Sequence, residues 1–163
     1  MNWDGAPFRL HEQRGKVAVL FFGFTHCPDI CPGSFAKVRK IYAELAPEKK
    51  GDLAVVFVSV DPERDTREAL AAYVPAFDSS FVGLHLDRDA LARTAGAYGV
   101  VMQKRYPKGR DRAYYSMDHT STFFLIDREG NLREQVPFNV HADTLRAAIE
   151  RLLEENGPKS EGA

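Results

Sequence analysis

The chain has 163 residues, 44% of them hydrophobic and 28% charged, with 22 Lys and Arg against 23 Asp and Glu for a net charge of −1. That length suits one domain with a substantial core, and so even a charge balance removes the usual grounds for expecting nucleic acid or an anionic membrane surface as a partner. No apolar run approaches the roughly 18–20 residues that a membrane span needs, and the opening "MNWDGAPF" has neither the basic nor the apolar region of a secretory signal.

Lys16–Phe24 ("KVAVLFFGF") and Leu53–Val60 ("LAVVFVSV") are short, continuous β-branched and aromatic runs, the pattern of strands buried on both faces. Between them Phe35, Val38, Ile41, Tyr42 and Leu45 recur at helical spacing, with Lys37, Arg39, Lys40 and Glu44 on the other side. A strand–helix–strand unit with a right-handed crossover follows. After "SVDPERDT", Asp65 is the expected N-cap, with Glu68 three residues on, of a helix reaching about Phe77. "FVGLHLD" (81–87) reads as a strand and "RDALARTAGAYG" (88–99) as a short helix ended by glycine. "VVMQKRY" then leads into a polar, basic loop that separates it from the next strand-like run. Residues 123–138 read as a hairpin turning at Asp127–Asn131, and 142–155 place Leu145, Ala148, Ile149 and Leu152 on one face of a closing amphipathic helix.

This order predicts an α/β chain with a thioredoxin-like fold, an inserted β-α element, and a C-terminal β-hairpin plus helix. It is read as a single domain over 1–163, frayed at 157–163 and monomeric. A generic doubly wound sheet is the alternative, but it needs parallel strands where the sequence offers a hairpin.

The chain has only two cysteines, and "FTHCPDICPGSF" (24–35) holds both, each followed by proline, where the first buried strand gives way to the first helix. In open α/β sheets that edge is where ligands bind. Pro32 suits a first helical turn, whose positive dipole end favours a thiolate, so Cys27 and Cys31 are expected to be acidic and nucleophilic. If the intervening turn is helical, four-residue spacing leaves the two side chains only about 40° apart around the axis. That suits a disulfide or a shared metal ion. Simple packing of two small apolar thiols explains neither the prolines nor the location, and a structural cross-link over so short a ring adds little stability. Three residues separate the sulfurs, against two in thioredoxins, and this lies within the spacing of metal-ligating cysteines.

A metal needs more donors, and five histidines are available: His11, His26, His85, His119 and His141. His11 precedes the core, His85 lies in a strand pattern as a structural residue, and His141 sits at the start of the last helix. His26 neighbours Cys27, but adjacent residues in extended chain point to opposite sides, so it lines the site without binding. His119 precedes the hairpin at one end of the sheet. In a thioredoxin-like layout that loop passes beside the cysteine helix, which makes His119 the best third ligand. Two thiolates and an imidazole suit copper, Cu(I) or Cu(II), better than zinc, which wants a fourth ligand, and acid should weaken the binding.

"FFGFTHCPDICP", "SVDPERDT" and "MDHTSTFFLID", in this order, resemble the signature segments of the Sco (SenC/PrrC) family of copper-binding cytochrome c oxidase assembly proteins. The resemblance covers most of the chain, from about Phe8 to Leu153. It implies a thioredoxin fold, copper on the residues that match the family's ligands (Cys27, Cys31 and His119), and a metallochaperone's role at the Cu(A) site of oxidase subunit II. It also implies an N-terminal membrane anchor, outside this sequence, and an extracytoplasmic location in the periplasm or on the outer face of the plasma membrane. The segment from Phe8 to Lys16 is shorter than the hairpin the resemblance leads one to expect.

The principal alternative is a thiol–disulfide oxidoreductase that uses Cys27 and Cys31 as a redox pair to reduce the cysteines of the Cu(A) site, with thiol reductants or copper donors as further partners. A peroxiredoxin-like peroxidase would use Thr25 near the thiolate but lacks an evident arginine and resolving cysteine, and a pure binding module would show no exchange. Among the remaining residues, Asp61 and Pro62 read first as a turn, and Asp118 either orients His119 or caps its loop. Met102 and Met117 read as core filling. The basic run of Lys104, Arg105, Lys108, Arg110 and Arg112 reads as solvated charge before it reads as a docking surface for an acidic partner.

Overall fold

A computed structural model describes residues 1–109 and 111–155; the expected tail at 157–163 and Arg110 of the basic run lie outside them. A 3-10 turn at Leu10–Gln13 precedes β1 (Val17–Gly23), α1 (Ile30–Glu44), the single turn α2 (Pro47–Lys50) and β2 (Leu53–Ser59). Next come α3 (Arg67–Tyr73), β3 (Val82–Leu84) and α4 (Arg88–Ala97). A ribbon of β4 (Met102–Arg105) and β5 (Ser116–His119) leads into β6 (Thr122–Ile126), β7 (Leu132–Pro137) and α5 (Ala142–Glu154). Among the described residues no helix is long and apolar enough to cross a membrane.

The main sheet has the order β3-β2-β1-β6-β7, with β1, β2 and β3 parallel and β6 and β7 antiparallel to their neighbours. This is the thioredoxin-like fold, and the antiparallel β6–β7 hairpin removes the doubly wound alternative. All seven residues of β1 are buried, because helices cover both faces. Phe21 packs on Phe35 of α1 and on Phe123. Its neighbour Phe22 turns to the other face, against Tyr98 beyond α4 and Phe124. Period-two alternation thus feeds two aromatic clusters from one strand.

Local expectations are corrected at α3 and β3. The N-cap of α3 is Thr66, whose hydroxyl accepts from the Ala69 amide, not Asp65, and the helix stops at Tyr73 instead of about Phe77. The strand expected over 81–87 is only three residues long, its edge extended by an antiparallel bridge from Asn2 to Leu84. The strand-like run "VVMQKRY" contributes Met102–Arg105, which pairs antiparallel with Ser116–His119 as a ribbon separate from the main sheet, with Met102 opposite His119.

The register places the site. β1 and β6 are antiparallel with Phe21 opposite Phe123. The chain leaving β1 beyond Gly23 and the chain entering β6 from Ser121 therefore meet at one edge. The cysteines lie on the first segment and His119 on the second.

Candidate metal centre

α1 begins at Ile30 with Asp29 at its N-cap in non-helical geometry, so Cys31 and Pro32 lie in the first turn while Cys27 lies outside the helix. The chain between the cysteines is not helical until Ile30. Instead the Cys31 amide donates to the Cys27 sulfur at 3.4 Å, which still brings the two residues together. Both are free thiols, Cys31 buried and Cys27 half-buried.

Burial pushes the Cys31 thiol far above its ordinary pKa, and the nearby Cys27 and Asp65 add to it against an opposing main-chain interaction at Phe24. This overturns the expectation of an acidic Cys31: loss of hydration outweighs the helix dipole. Close packing is one cause of that burial. A Cβ at Gly23 would lie 2.8 Å from Cε2 of Phe57 and 3.1 Å from the Cys31 sulfur, so only glycine lets the sulfur settle against β1.

His119, the last residue of β5, places Nε2 at 3.6 Å from the Cys31 sulfur. Its Nδ1 lies 3.0 Å from the Thr120 carbonyl oxygen, which can only accept, so Nδ1 carries the proton and the Nε2 lone pair faces the sulfur. Burial lowers the His119 pKa, against smaller opposing effects from Thr120 and Asp118, and so favours the uncharged ring, the form able to bind a metal ion. The Phe24 ring meets it edge-on at 5.8 Å. Cys27, Asp29, Ile30, Met117 and His119 line a cleft of about 380 Å³ that opens to solvent. Among the described residues no three His, Cys, Asp or Glu side chains already surround one point that could hold a metal ion. Cys31 and His119 are adjacent, and the Cys27 sulfur is turned to the Cys31 amide.

The other candidates separate cleanly. His26 is exposed and absent from the cleft lining, its Nδ1 3.1 Å from the Thr25 hydroxyl, which corrects the expectation that it lines the site. His85 is structural, with Nδ1 2.9 Å from the Asp65 carbonyl oxygen. His141 occupies the N-cap of α5 without a side-chain bond, and His11 lies in the exposed 3-10 turn. Asp118 does not orient His119: its carboxylate pairs with Arg105, and Thr120 holds the imidazole. Met117 is buried beneath the cleft and Met102 half-buried.

Asp61 is more than a turn residue, for it is buried and accepts from Arg64 at 2.5 Å and from the Tyr115 hydroxyl at 2.7 Å. The Arg64 guanidinium stacks 3.7 Å from the Tyr115 ring centre, bolting the ribbon to the β2 exit. The basic run is partly neutralised within the molecule: Lys104 pairs with Glu63, Arg105 with Asp118, and Arg112 sits over Tyr106. The Thr25 hydroxyl donates to Asp65 at 2.7 Å, so the group a peroxidase would turn to its thiolate is engaged elsewhere. Sequence reasoning missed Gly23 and Asp65, because spacing carries no sign of either close approach.

The SCO1/SenC family model matches residues 1–154. The human protein "Protein SCO1 homolog, mitochondrial" is 37% identical over 156 residues, covering 89% of this chain and 51% of that one, so the chain spans about half the length of this relative. Among solved structures, Bradyrhizobium japonicum ScoI with copper bound is 30% identical with a TM-score of 0.82, covering 93% of this chain and 94% of that one. Apo Sco1 from Thermus thermophilus is 36% identical with a TM-score of 0.81, covering 91% of this chain and 86% of that one.

Proposed function

The chain belongs to the SCO1/SenC family, and from that premise we propose that it carries copper as cargo on Cys27, Cys31 and His119 and delivers it during assembly of the Cu(A) site in subunit II of cytochrome c oxidase. The observation that carries this reading is the His119 imidazole, held through Nδ1 against the Thr120 carbonyl oxygen, with Nε2 3.6 Å from the buried Cys31 sulfur. The donor set fits the cargo. Thiolates and a neutral imidazole are soft-to-intermediate donors that favour copper, and the copper-bound Bradyrhizobium relative has the same fold. Cys27, on the loop and closer to solvent, completes the set by turning its sulfur away from the Cys31 amide.

Burial holds Cys31 protonated, so loading copper expels that proton and acid reverses the loading. The open cleft gives an incoming pair of partner thiolates access to the ion, and transfer proceeds by ligand exchange. We place the working protein outside the cytoplasm, tethered to a membrane, in keeping with the family and the mitochondrial human relative.

One observation favours thiol–disulfide exchange as a second reading. Cys27 is the more accessible thiol and Cys31 the buried one with its amide on the Cys27 sulfur, the asymmetry of an attacking and a resolving sulfur. The Cys27 thiolate would attack a partner disulfide and Cys31 would displace the partner's sulfur. Two electrons and two protons pass to the partner, and Cys27 and Cys31 end as a disulfide.

His119→Ala separates the two. The parent is expected to take up one equivalent of Cu(I), and of Cu(II) with a sulfur-to-copper charge-transfer band. The variant should lose more affinity than the roughly 10–100-fold that follows loss of an outer-shell partner, while its dithiol still oxidises at the parent rate. Equal copper affinity in variant and parent would take His119 out of the site.

A further inference from the structure

Three donors from two strand ends converge on one carboxylate that the copper site does not use. Asp65 is fully buried. Its oxygens accept from the Thr25 amide at 3.0 and 3.2 Å, the Thr25 hydroxyl at 2.7 Å and the Ser59 hydroxyl at 2.8 Å. Its backbone is fixed too: its amide donates to Asp61 O at 2.9 Å, and its carbonyl accepts from His85 Nδ1 at 2.9 Å. A buried carboxylate is costly unless its hydrogen bonds are satisfied. Here the donors satisfy it by holding Thr25 at two atoms.

Thr25 stands two residues before Cys27, in the turn by which the chain leaves β1. On the sheet side Gly23 O accepts from the Val60 amide at 2.8 Å, and on the cysteine side the turn closes with the Cys27 amide on Phe24 O at 3.2 Å. Between these main-chain bonds the side-chain grip on the turn is that of Asp65. The Thr25 hydroxyl spends its proton on Asp65, so its oxygen accepts from His26 Nδ1, which fixes the exposed imidazole as well.

We propose that Asp65 is a positioning residue for the metal centre: by gripping Thr25 and tying it to Ser59 at the end of β2, it sets where the Cys27 turn leaves the sheet and so whether the Cys27 sulfur can join Cys31 and His119. The geometry stands without copper, while its consequence rests on the copper reading. The same grip explains why an aspartate that looks like a helix cap from its sequence neighbours is turned inward, leaving the cap to Thr66.

The experiment compares five proteins. Asp65→Asn keeps the shape but loses the charge, Thr25→Val loses only the hydroxyl, and Thr25→Ser restores it. Asp127→Ala removes a different buried carboxylate, in the β6–β7 turn, and controls for general destabilisation. Each is measured metal-free and reduced, for the rate at which iodoacetamide alkylates Cys27, and then for Cu(I) affinity by competition with bicinchoninate. Asp65→Asn and Thr25→Val should expose Cys27, raising its alkylation rate several-fold, and lower Cu(I) affinity about tenfold, the small end of the range for outer-shell partners. Thr25→Ser and Asp127→Ala should match the parent in both, although Asp127→Ala melts lower.

Parent-like alkylation in Asp65→Asn and Thr25→Val overturns the proposal, and so does an equal change in Asp127→Ala. If Asp65→Asn fails to fold, the Thr25→Val and Thr25→Ser pair decides alone. If the parent itself takes up no Cu(I), the copper reading falls while the alkylation rates still judge Asp65.

Discussion

The cysteines hang from β1, seven buried residues flanked by parallel β2 and antiparallel β6, whereas His119 ends a four-residue strand whose partner in the ribbon is another four-residue strand of alternating burial. Two-stranded ribbons are marginal by themselves. This one is held by Met117 beneath it and by the Arg64–Tyr115–Asp61 bolt at its side. The Cys31–His119 distance is thus fixed firmly from the sheet and lightly from the ribbon. On the cargo reading proposed above, the site gains from such asymmetry, because the side with fewer buried contacts opens at lower cost. The contrast also assigns different consequences to damage on each side.

The largest effect is expected in the sheet half. Phe35 is fully buried and meets the rings of Phe21, Phe57, Phe77 and Phe81. Phe35→Ala should cost about 3–5 kcal/mol in urea unfolding, with fluorescence and circular dichroism falling together because the whole sheet depends on that cluster. A variant that kept its midpoint while losing only the cysteine site would break the claim that the two are one unit. Gly23→Ala comes next. Its methyl group would push on Phe57 and the Cys31 sulfur, an overpacking worth about 2–3 kcal/mol. Copper uptake should suffer in proportion, and an unchanged unfolding midpoint would show that the sulfur yields freely.

The same asymmetry decided how much could be read from residues alone. Continuous apolar runs announced β1 and β2, the turn formers at Asp127–Asn131 announced the hairpin, and the pairing of cysteines with proline pointed to the strand–helix edge. The ribbon was not legible as a ribbon. Met102–Arg105 and Ser116–His119 are short, half-exposed and separated by a polar loop, so neither periodicity nor turn chemistry marks their pairing. Asp65 and Thr66 are both good caps, and only the Thr25 and Ser59 donors decide which turns inward. The Cys31 thiol was misjudged because a dipole can be inferred from a helix start, while burial at the foot of β1 depends on the whole fold.

In the ribbon half the expected effect is smaller and local. Tyr115→Phe deletes the hydroxyl that donates to Asp61, a bond to a charged acceptor whose loss should cost about 1–2 kcal/mol. Amide exchange should quicken at Gln103–Arg105 and Ser116–Asp118 while β1 amides keep their protection. Equal acceleration in both sets would mean that ribbon and sheet open together, and the comparison would lose its basis.

The smallest effect separates the halves by acid. Asp127 is buried, which by itself raises its pKa, but bonds from the amides of Asn131 and Glu129 and from the Asn131 and Arg133 side chains together hold it below the usual carboxylate value. Because the folded pKa lies below the unfolded value of about 4, the unfolded chain binds more protons between the two. The contribution is therefore complete above the unfolded value and disappears as pH falls through the folded one. Asp127→Asn should be less stable than the parent by about 1 kcal/mol near neutrality, and the two urea midpoints should converge in acid. In the ribbon, the Asp118–Arg105 pair lies at the surface, where solvent screens it, so Asp118→Asn should leave the midpoint nearly unchanged at either pH. A gap between Asp127→Asn and the parent that persisted undiminished in acid would show that shape, not charge, holds the hairpin turn. The sheet half would then have no acid-sensitive anchor to set against the ribbon.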